Sequence, residues 1–572
     1  CTAVGAFALD ANTTGNSNTG LGRNTLGANT TGAANTAVGS LALEANSTGA
    51  QNTAVGVFAL DDNTTADNNT AVGYNSLTAN TTGDSNVSVG HNSLDANSTG
   101  SNNTGVGQRA LTANTTANNN TAVGVNSLGS NTTGTQNVAV GAFALDANTT
   151  ASSNTAVGYF ALTLATTGAS NTAVGDRACE DLTTASNITA LGTQALANNT
   201  TGDSNTSLGM QSLFTNTTGA RNVAVGKDAL RANTTASDNT AVGTDALTGN
   251  STGTENSALG SQALLSNTTG DANIAIGYEA LDANTEGSNN TAVGRSSLGA
   301  NTTADNNTAV GYHALKSNTT GHSLVAVGSA ALDSNTTGQY NVAVGLNALG
   351  ATTSPNSNTA VGYSAGLTNS TGANNTALGS VALLSNTTAS NNTAIGKSAM
   401  QNNTTGAENT ALGSSALDAN STGVSNAAVG FEAGKANTTG SANTACGHKA
   451  LLSNTTGANN TAVGKDALRV NSTASHNTAV GNSCLDANTT GSSNTGVGSE
   501  CLGAVTTGST NSAVGVSALQ GLTTGGSNVA MGVQAMQLQT TGSNNTAIGK
   551  DALRYFIGSS NTAVGQDALQ GA

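Results

Sequence analysis

The sequence is poor in the side chains that carry out chemistry. Only 8% of its 572 residues are charged, against about 25% in typical soluble domains, and it has one proline and no tryptophan. The five histidines show no spacing typical of metal ligands or acid–base pairs. We therefore expect a protein that is not an enzyme, with no catalytic residues, no metal-binding residues and no cofactor.

Loops that bind calcium or phosphate are missing too. The segment from Asp282 to Gly287 comes closest to a calcium loop, but no bidentate Glu follows at the twelfth place. The glycines form no phosphate-binding pattern between a strand and a long helix. The net charge of −15 is small for this length and argues against nucleic acid as a partner.

What the sequence has instead is one seventeen-residue phrase, close to Asn-Thr-Ala-Val-Gly-x-x-Ala-Leu-x-Ala-Asn-Thr-Thr-Gly-x-x, repeated from end to end. It restarts every seventeen residues from Cys1 to Asn545 and once more at Asn561, giving 33 full repeats and a partial one. So short a unit cannot bury a core alone and must stack on its neighbours. Residues 1–572 are therefore predicted to form a single continuous solenoid, and we expect this to be a segment of a longer chain.

We number the positions of each repeat as columns 1 to 17, starting at its Asn, and call one repeat a coil. Column 5 is Gly in all 34 copies, which indicates a positive φ or a contact too close for a Cβ atom. Column 4 is always apolar, and column 9 is Leu in 29 copies. Val4 and Leu9 are accordingly predicted to represent the core. The exceptions in column 9 are Cys179, Gly366, Met400, Gly434 and Met536.

The fold class follows from the short apolar segments. Thr-Ala-Val favours a strand and is too short for a helix, and Gly and Asn-Thr-Thr-Gly flank it with turns. We predict an all-β, parallel β-solenoid, or β-roll, with one 17-residue coil per repeat. Each coil is predicted to have strands at columns 1–4 and around columns 7–9, stacked about 4.8 Å apart.

Two Asn columns have two possible explanations. Column 12 begins a formal N-glycosylation acceptor in most repeats, as at Asn12, Asn46 and Asn97. Its replacements include Leu182 and Val505, which is unusual for a position that faces water. We favour stacked Asn ladders that satisfy backbone groups of the turns, and glycans remain the alternative.

Columns 6 and 7 hold every kind of side chain, so they are predicted to form a solvated face, here called the variable stripe. A binding surface for host or cell-surface ligands would lie there. Columns 3 and 4 must point to opposite sides of a strand, as in Ala3 and Val4. If the small residues faced outward, another chain could approach closely, so we predict self-association as a trimer or filament.

Cysteines and irregular coils complete the expectations. Four cysteines fall in columns predicted to be buried and are expected to be free thiols: Cys179, Cys446, Cys484 and Cys501. Local distortion with intact stacking on both sides is expected at Pro355, Gly366, Gly434 and the one-residue deletion near residues 554–557.

Phrases such as Asn69-Thr70-Ala71-Val72-Gly73 and Asn273-Ile274-Ala275-Ile276-Gly277 resemble the head repeat of YadA-type trimeric autotransporter adhesins, Asn-Ser-Val-Ala-Ile-Gly-x-x-Ser. Similar phrases occur in phage tail fibres. The resemblance implies a left-handed β-roll assembled as a trimer on a bacterial surface and used for adhesion. The repeats here are longer, by Asn-Thr-Thr-Gly.

These observations predict a structural subunit of an extracellular fibre or surface adhesin, a rigid rod that associates with itself. Within this segment we expect no contact with a membrane. The alternatives are an ice-binding solenoid, which needs outward-facing Thr in aligned ranks such as Thr13 and Thr14, and a virion tail fibre.

Overall fold

The computed structural model describes residues 1–571, and the chain in that range is all-β, without a helix. Thirty-four three-residue strands recur about every seventeen residues and form a parallel β-solenoid, as the sequence predicts. The chain divides into two compact units, Cys1–Ser288 and Asn289–Ala572. Each unit contains seventeen of the strands, one per coil.

In the first unit the strands are β1 (Thr2–Val4), β2 (Thr19–Leu21), β3 (Thr36–Val38), β4 (Thr53–Val55), β5 (Thr70–Val72), β6 (Val87–Val89), β7 (Thr104–Val106), β8 (Thr121–Val123), β9 (Val138–Val140), β10 (Thr155–Val157), β11 (Thr172–Val174), β12 (Thr189–Leu191), β13 (Thr206–Leu208), β14 (Val223–Val225), β15 (Thr240–Val242), β16 (Ser257–Leu259) and β17 (Ile274–Ile276). In the second unit they are β18 (Thr291–Val293), β19 (Thr308–Val310), β20 (Val325–Val327), β21 (Val342–Val344), β22 (Thr359–Val361), β23 (Thr376–Leu378), β24 (Thr393–Ile395), β25 (Thr410–Leu412), β26 (Ala427–Val429), β27 (Thr444–Cys446), β28 (Thr461–Val463), β29 (Thr478–Val480), β30 (Thr495–Val497), β31 (Ser512–Val514), β32 (Val529–Met531), β33 (Thr546–Ile548) and β34 (Thr562–Val564).

Within each unit, consecutive strands pair in parallel with like columns opposite one another. Thr53 pairs with Thr70, for example, and Val55 pairs with Val72. The rest of the coil follows the same register, because the amide of Leu43 donates to the carbonyl of Ala59, immediately before Leu60. Successive copies of the repeat therefore lie directly over one another, and each column becomes a continuous row of like side chains.

The strand faces the core with its small residue, so the prediction that column 4 forms the core is wrong. Column 3 is buried in every strand from β2 to β34, whereas column 4 is half-buried or exposed throughout. In β9, Ala139 is 0% exposed and Val140 is 37% exposed. The coil is narrow, and column 3 meets the side chains of columns 8 and 9 across it. Only Ala, Gly or Ser fits there, and the β-branched residue is left outside.

Column 9 supplies the larger part of the core, as predicted. It is buried in every coil except the first and the last, and Leu43 and Leu60 are 0% exposed. The Ala of column 8 is buried beside it, so two adjacent residues both face inward. An extended strand cannot do this, because neighbouring side chains alternate between its faces.

The chain solves this problem with turns in place of the predicted second strand. Columns 6–11 form a run of turns in which columns 7 and 9 have left-handed φ values, as at Asp228 (57°) and Leu230 (52°). Column 17 is left-handed as well, as at Asp238 (63°). A non-glycine residue in this region costs about 1–2 kcal/mol, which the hydrogen bonds to neighbouring coils must offset.

The invariant Gly of column 5 meets both conditions inferred from the sequence. Gly243 has a φ of 141°, which L side chains rarely adopt. A Cβ atom on it would also lie 2.5 Å from the carbonyl oxygen of Gly260, in the next coil. Any side chain in this column would push adjacent coils apart.

Space across the coil is shared between columns 3 and 8. Where column 8 is larger than Ala, column 3 is sometimes reduced to Gly. A Cβ atom on Gly20 would lie 2.8 Å from Thr25 Oγ1, and one on Gly496 would lie 2.6 Å from Cys484 Sγ. The core is packed tightly enough for one methyl group to matter.

Stacking continues through the irregular coils, as predicted. β21 and β22 pair in register across Pro355, and β22 and β23 do so across Gly366. Beyond the one-residue deletion, Thr546 still pairs with Thr562. At Gly434 the missing side chain leaves a small gap lined by Leu417 and Leu451.

Candidate functional site

The Asn residues of column 12 form a buried amide ladder. In a typical coil, Asn46 is 0% exposed, and its Nδ2 donates to Asn29 Oδ1 (2.7 Å) and to the carbonyl of Gly49 (2.9 Å). Asn63 Nδ2 then donates to Asn46 Oδ1 (2.7 Å), so the pattern passes to the next coil. The prediction of a stacked Asn ladder is confirmed.

Column 1 forms a second ladder with different bonds. The backbone amide of Asn52 donates to Asn35 Oδ1 in the coil before it (2.9 Å), and Asn52 Oδ1 accepts from the backbone amide of Asn69 in the coil after it (2.8 Å). Asn52 Nδ2 donates to the carbonyl of Ala66 in the last turn of its own coil (2.8 Å). Each such side chain therefore joins its own turn to the next coil. These amides satisfy backbone groups that no strand partner could reach.

The geometry of column 12 decides between the two explanations for the Asn-Thr-Thr motif. Both Nδ2 hydrogens of Asn46 are donated inside the fold, and its side chain is shielded from solvent. An N-linked glycan would replace one of these hydrogens and needs an open path to water. The acceptor Asn residues of the ladder are thus inaccessible in the folded chain, except Asn12 in the first coil, which is half-buried.

The ladder is interrupted at defined coils, and each interruption leaves a buried side-chain amide oxygen without a hydrogen-bond donor. Four column-12 amide oxygens are buried with no hydrogen-bond partner among residues 1–571, and each precedes a coil whose column 12 is not Asn. The four are Asn148 before Ala165, Asn335 before Thr352, Asn488 before Val505 and Gln539 before Phe556. A buried acceptor without a donor costs about 1–3 kcal/mol, so these are the weak points of the stack.

Two further ladders lie beside these, and the sequence analysis did not identify them. In column 13, Thr30 Oγ1 donates to the carbonyl of Ser47, its counterpart in the next coil (3.0 Å). In column 16, the amide of Ala50 donates to Asp67 Oδ1 (2.6 Å). The signal was present, because column 13 is almost entirely Thr or Ser and column 16 is rich in Ser, Asp and Asn.

Columns 2 and 4 form the solvent-facing side of the sheet, which we call the outer strand face. Column 4 is Val, Leu, Ile, Met or Cys in all 34 coils, and column 2 is Thr, Ser, Val, Ile or Ala. Neither column contains a charged residue. Leu191, Leu259 and Met531 are 46–50% exposed. Cys446 also lies on this face and is exposed, so its predicted core position is wrong.

The variable stripe stabilises itself where it is aromatic. The rings of Tyr74 and His91 stack at 5.5 Å, and those of Phe143 and Phe160 stack at 5.1 Å with an interplanar angle of 8°. Arg177 lies over the ring of Phe160, 5.9 Å from its centroid. The ring faces are thus occupied by neighbouring coils, and mainly ring edges point to solvent.

Carboxylates of column 10 are partly buried between coils. Desolvation, with the nearby charges of Glu44 and Asp62, raises the pKa of Asp61 to about 6. Its Oδ1 atom has no hydrogen-bond partner within residues 1–571. Burial is also the main cause of a raised pKa at Asp146, Asp282, Asp418 and Asp486. The ionised form of these carboxylates therefore lowers the stability of the stacked coils.

The remaining reactive side chains do not converge. Cys179, Cys484 and Cys501 are buried free thiols, as predicted for them, and Cys1 is free and exposed. A hydrogen bond with Cys501 and, to a smaller extent, burial raise the pKa of the Cys484 thiol. Across residues 1–571, no group of three or more His, Cys, Asp or Glu side chains is arranged to hold a metal ion.

Two open surface grooves lie where column 10 is Gly. One, of about 410 Å³, lies beside Gly27 and is lined by Asp10 and Glu44. The other, of about 400 Å³, lies beside Gly503. Neither encloses a ligand-sized space. A search of the described part of the chain finds no helix with the length and apolarity that a membrane span requires.

Comparison with known protein families and with curated proteins gives no match for this chain. The case for function therefore rests on the ladders and on the outer strand face.

Proposed function

We propose that this chain is a structural subunit of an extracellular fibre or surface adhesin, in which it forms a rigid, self-associating rod and catalyses no reaction. The observation that carries the proposal is the column-12 amide ladder. At Asn46, one buried side chain bonds to the coil before it and to its own turn, and it accepts a bond from the coil after it.

This use of polar groups supports a mechanical role. A coil can separate from its neighbour only if strand bonds, Asn bonds and Thr bonds all break together, because they lie in the same interface between coils. Each of these bonds contributes about 1 kcal/mol, so their sum per interface exceeds what one coil gains from its own core. Stability then depends on neighbours, as a fibre requires.

The proposal places the chain outside the cell, with any surface ligand held by the variable stripe. The test is immunogold electron microscopy of the native source, using an antibody against residues 1–572. Label along extracellular filaments is the expected result, and an antibody against a cytoplasmic protein is the matched control. Label confined to the cytoplasm would overturn the proposal, and label on particle tails would identify a virion tail fibre.

Ice binding is a second candidate because of one specific observation. Column 14 is Thr in 30 of the 32 coils that have this column, and it is exposed in all of them. The neighbouring Thr of column 13 donates its hydroxyl internally, as Thr30 does, so the array is a single rank. A thermal-hysteresis assay of the unmodified chain and of a double variant, Thr133→Lys with Thr150→Lys, tests ice binding. Activity in the unmodified chain that is lost in the double variant supports ice binding, and no activity in the unmodified chain rejects it.

A further inference from the structure

We propose that a second copy of this chain docks against the outer strand face, using the same columns 2 and 4 of its own sheet. The inference rests on the proposed structural role and names the surface and the partner. It also replaces the surface expected from the sequence, since the small residues of column 3 point into the core.

The repeat provides its own comparison between a covered and an uncovered position. Columns 4 and 6 are both exposed, as Val123 (37%) and Val125 (42%) show within one coil. Over 34 coils, column 6 accepts Arg, Lys, Asp, His and Ser, whereas column 4 accepts only apolar residues. A position that water reaches has no physical reason to exclude charge so completely. The composition of column 4 is that of a position that is shielded from solvent in the assembled protein.

The size of the face is sufficient for a stable interface. A valine that is 37% exposed, such as Val140, leaves roughly 50 Å² of its surface accessible. Seventeen such side chains in one unit amount to roughly 800 Å², which is about what each partner buries in a standard-size interface. Exposed apolar surface of that extent on a soluble chain typically marks a site of protein–protein contact.

The spacing of the face identifies the partner. Apolar side chains recur once per coil, and coils of a parallel solenoid are expected to repeat about every 4.8 Å. A second sheet interdigitates along the whole length only if its side chains repeat at the same interval. An unrelated globular surface has no such period, whereas a second copy of this chain has the identical one.

Charge does not oppose this contact. Residues 1–288 contain 20 acidic and six basic side chains, but none of them lies in columns 2 or 4. The face is therefore neutral, although the unit that carries it is acidic. Burying it removes no ion from water, so the desolvation penalty of the contact is small.

Sedimentation equilibrium of the chain and two paired variants tests the proposal. Val123→Lys with Val140→Lys places two charges in column 4 of adjacent coils. Val125→Lys with Ala142→Lys places the same charges in column 6 of the same coils and serves as the control. We expect the unmodified chain and the control to be oligomeric and the column-4 variant to show at least a tenfold weaker association. A monomeric unmodified chain, or equal weakening by both variants, would overturn the proposal.

Thiol labelling gives a second readout that does not depend on a variant. Cys446 lies in column 4, whereas Cys1 is exposed outside both columns. In the oligomer, maleimide labelling of Cys446 is expected to slow at least tenfold relative to the same chain diluted to monomer, with Cys1 unchanged. Equal labelling rates of Cys446 in both samples would contradict the docking surface. The outcome is independent of where the native protein is found, so failure here is distinguishable from failure of the proposed function.

Discussion

Repairing one break in the Asn ladder should stabilise the stack measurably. Thr352 occupies column 12 between Asn335 and Asn369. Asn335 Oδ1 is buried without a partner, and Asn369 Nδ2 donates only to the carbonyl of Gly372 (2.8 Å) within the described residues. In Thr352→Asn, the new Nδ2 is placed to donate to Asn335, and the new Oδ1 to accept from Asn369.

The expected gain follows from these bonds. Satisfying the orphan oxygen of Asn335 recovers about 1–3 kcal/mol, and each new hydrogen bond adds about 1 kcal/mol. The substitution removes one bond, from Thr352 Oγ1 to the carbonyl of Asn369 (2.9 Å), and it fixes a longer side chain. The net local stabilisation is about 1–3 kcal/mol.

Native-state hydrogen exchange measures this gain locally, which suits a repeat array that does not unfold in one step. The amide of Thr336 donates to the carbonyl of Thr353 (2.8 Å), next to the repaired position. Its exchange should slow by roughly 5- to 150-fold. Ser354→Asn, in the exposed column 14 of the same coil, is the control. An unchanged or faster rate in Thr352→Asn, or the same slowing in Ser354→Asn, would refute the ladder argument.

Four other perturbations have defined outcomes. Leu230→Asp buries a charge in column 9 and should unravel adjacent coils in limited proteolysis; a fully protected variant would contradict the core assignment. Gly496→Ala should lower the local stability of its coil by about 1–3 kcal/mol in native-state hydrogen exchange and be rescued by Cys484→Ala, and additive effects in the double-mutant cycle would count against the contact. Val381→Gly should slow local exchange because it relieves a left-handed β-branched residue (φ 53°), and faster exchange would be the adverse result. The pKa of Asp61 is raised to about 6 in the folded chain, so the folded chain holds this proton more tightly than the unfolded chain does, and local stability should fall as the pH rises through about 6. Asp61→Asn should remove this pH dependence. A pH dependence that persists in the variant would show that another group causes it.

Stacking could be predicted from the sequence because it depends on columns that tolerate almost no alternative. Gly243 stands for a column in which any Cβ atom would strike the next coil. Asn46 represents column 12, where apolar replacements such as Leu182 show that the position is shielded from water. In both, the residue type follows from one local constraint.

The direction of the strand could not be predicted from alternation alone. Ala139 and Val140 are both apolar, so a period of two separates the faces without saying which is inside. The distinguishing signal is volume. Column 3 admits only Ala, Gly and Ser, as a tight interior requires, whereas column 4 accepts Val, Leu, Ile, Met and Cys. The left-handed backbone conformation of Leu230 could not be predicted either, because leucine disfavours that conformation and only tertiary contacts impose it.

Cryo-electron microscopy of the assembled chain at side-chain resolution tests the stacked solenoid and its assembly together. We expect one coil per seventeen residues along an axial repeat of about 4.8 Å, with column 3 inside each chain and column 4 between chains. A map in which column 4 faces bulk water, with the variable stripe buried between copies, would contradict the assembly. A map without the 4.8 Å repeat would contradict the solenoid itself.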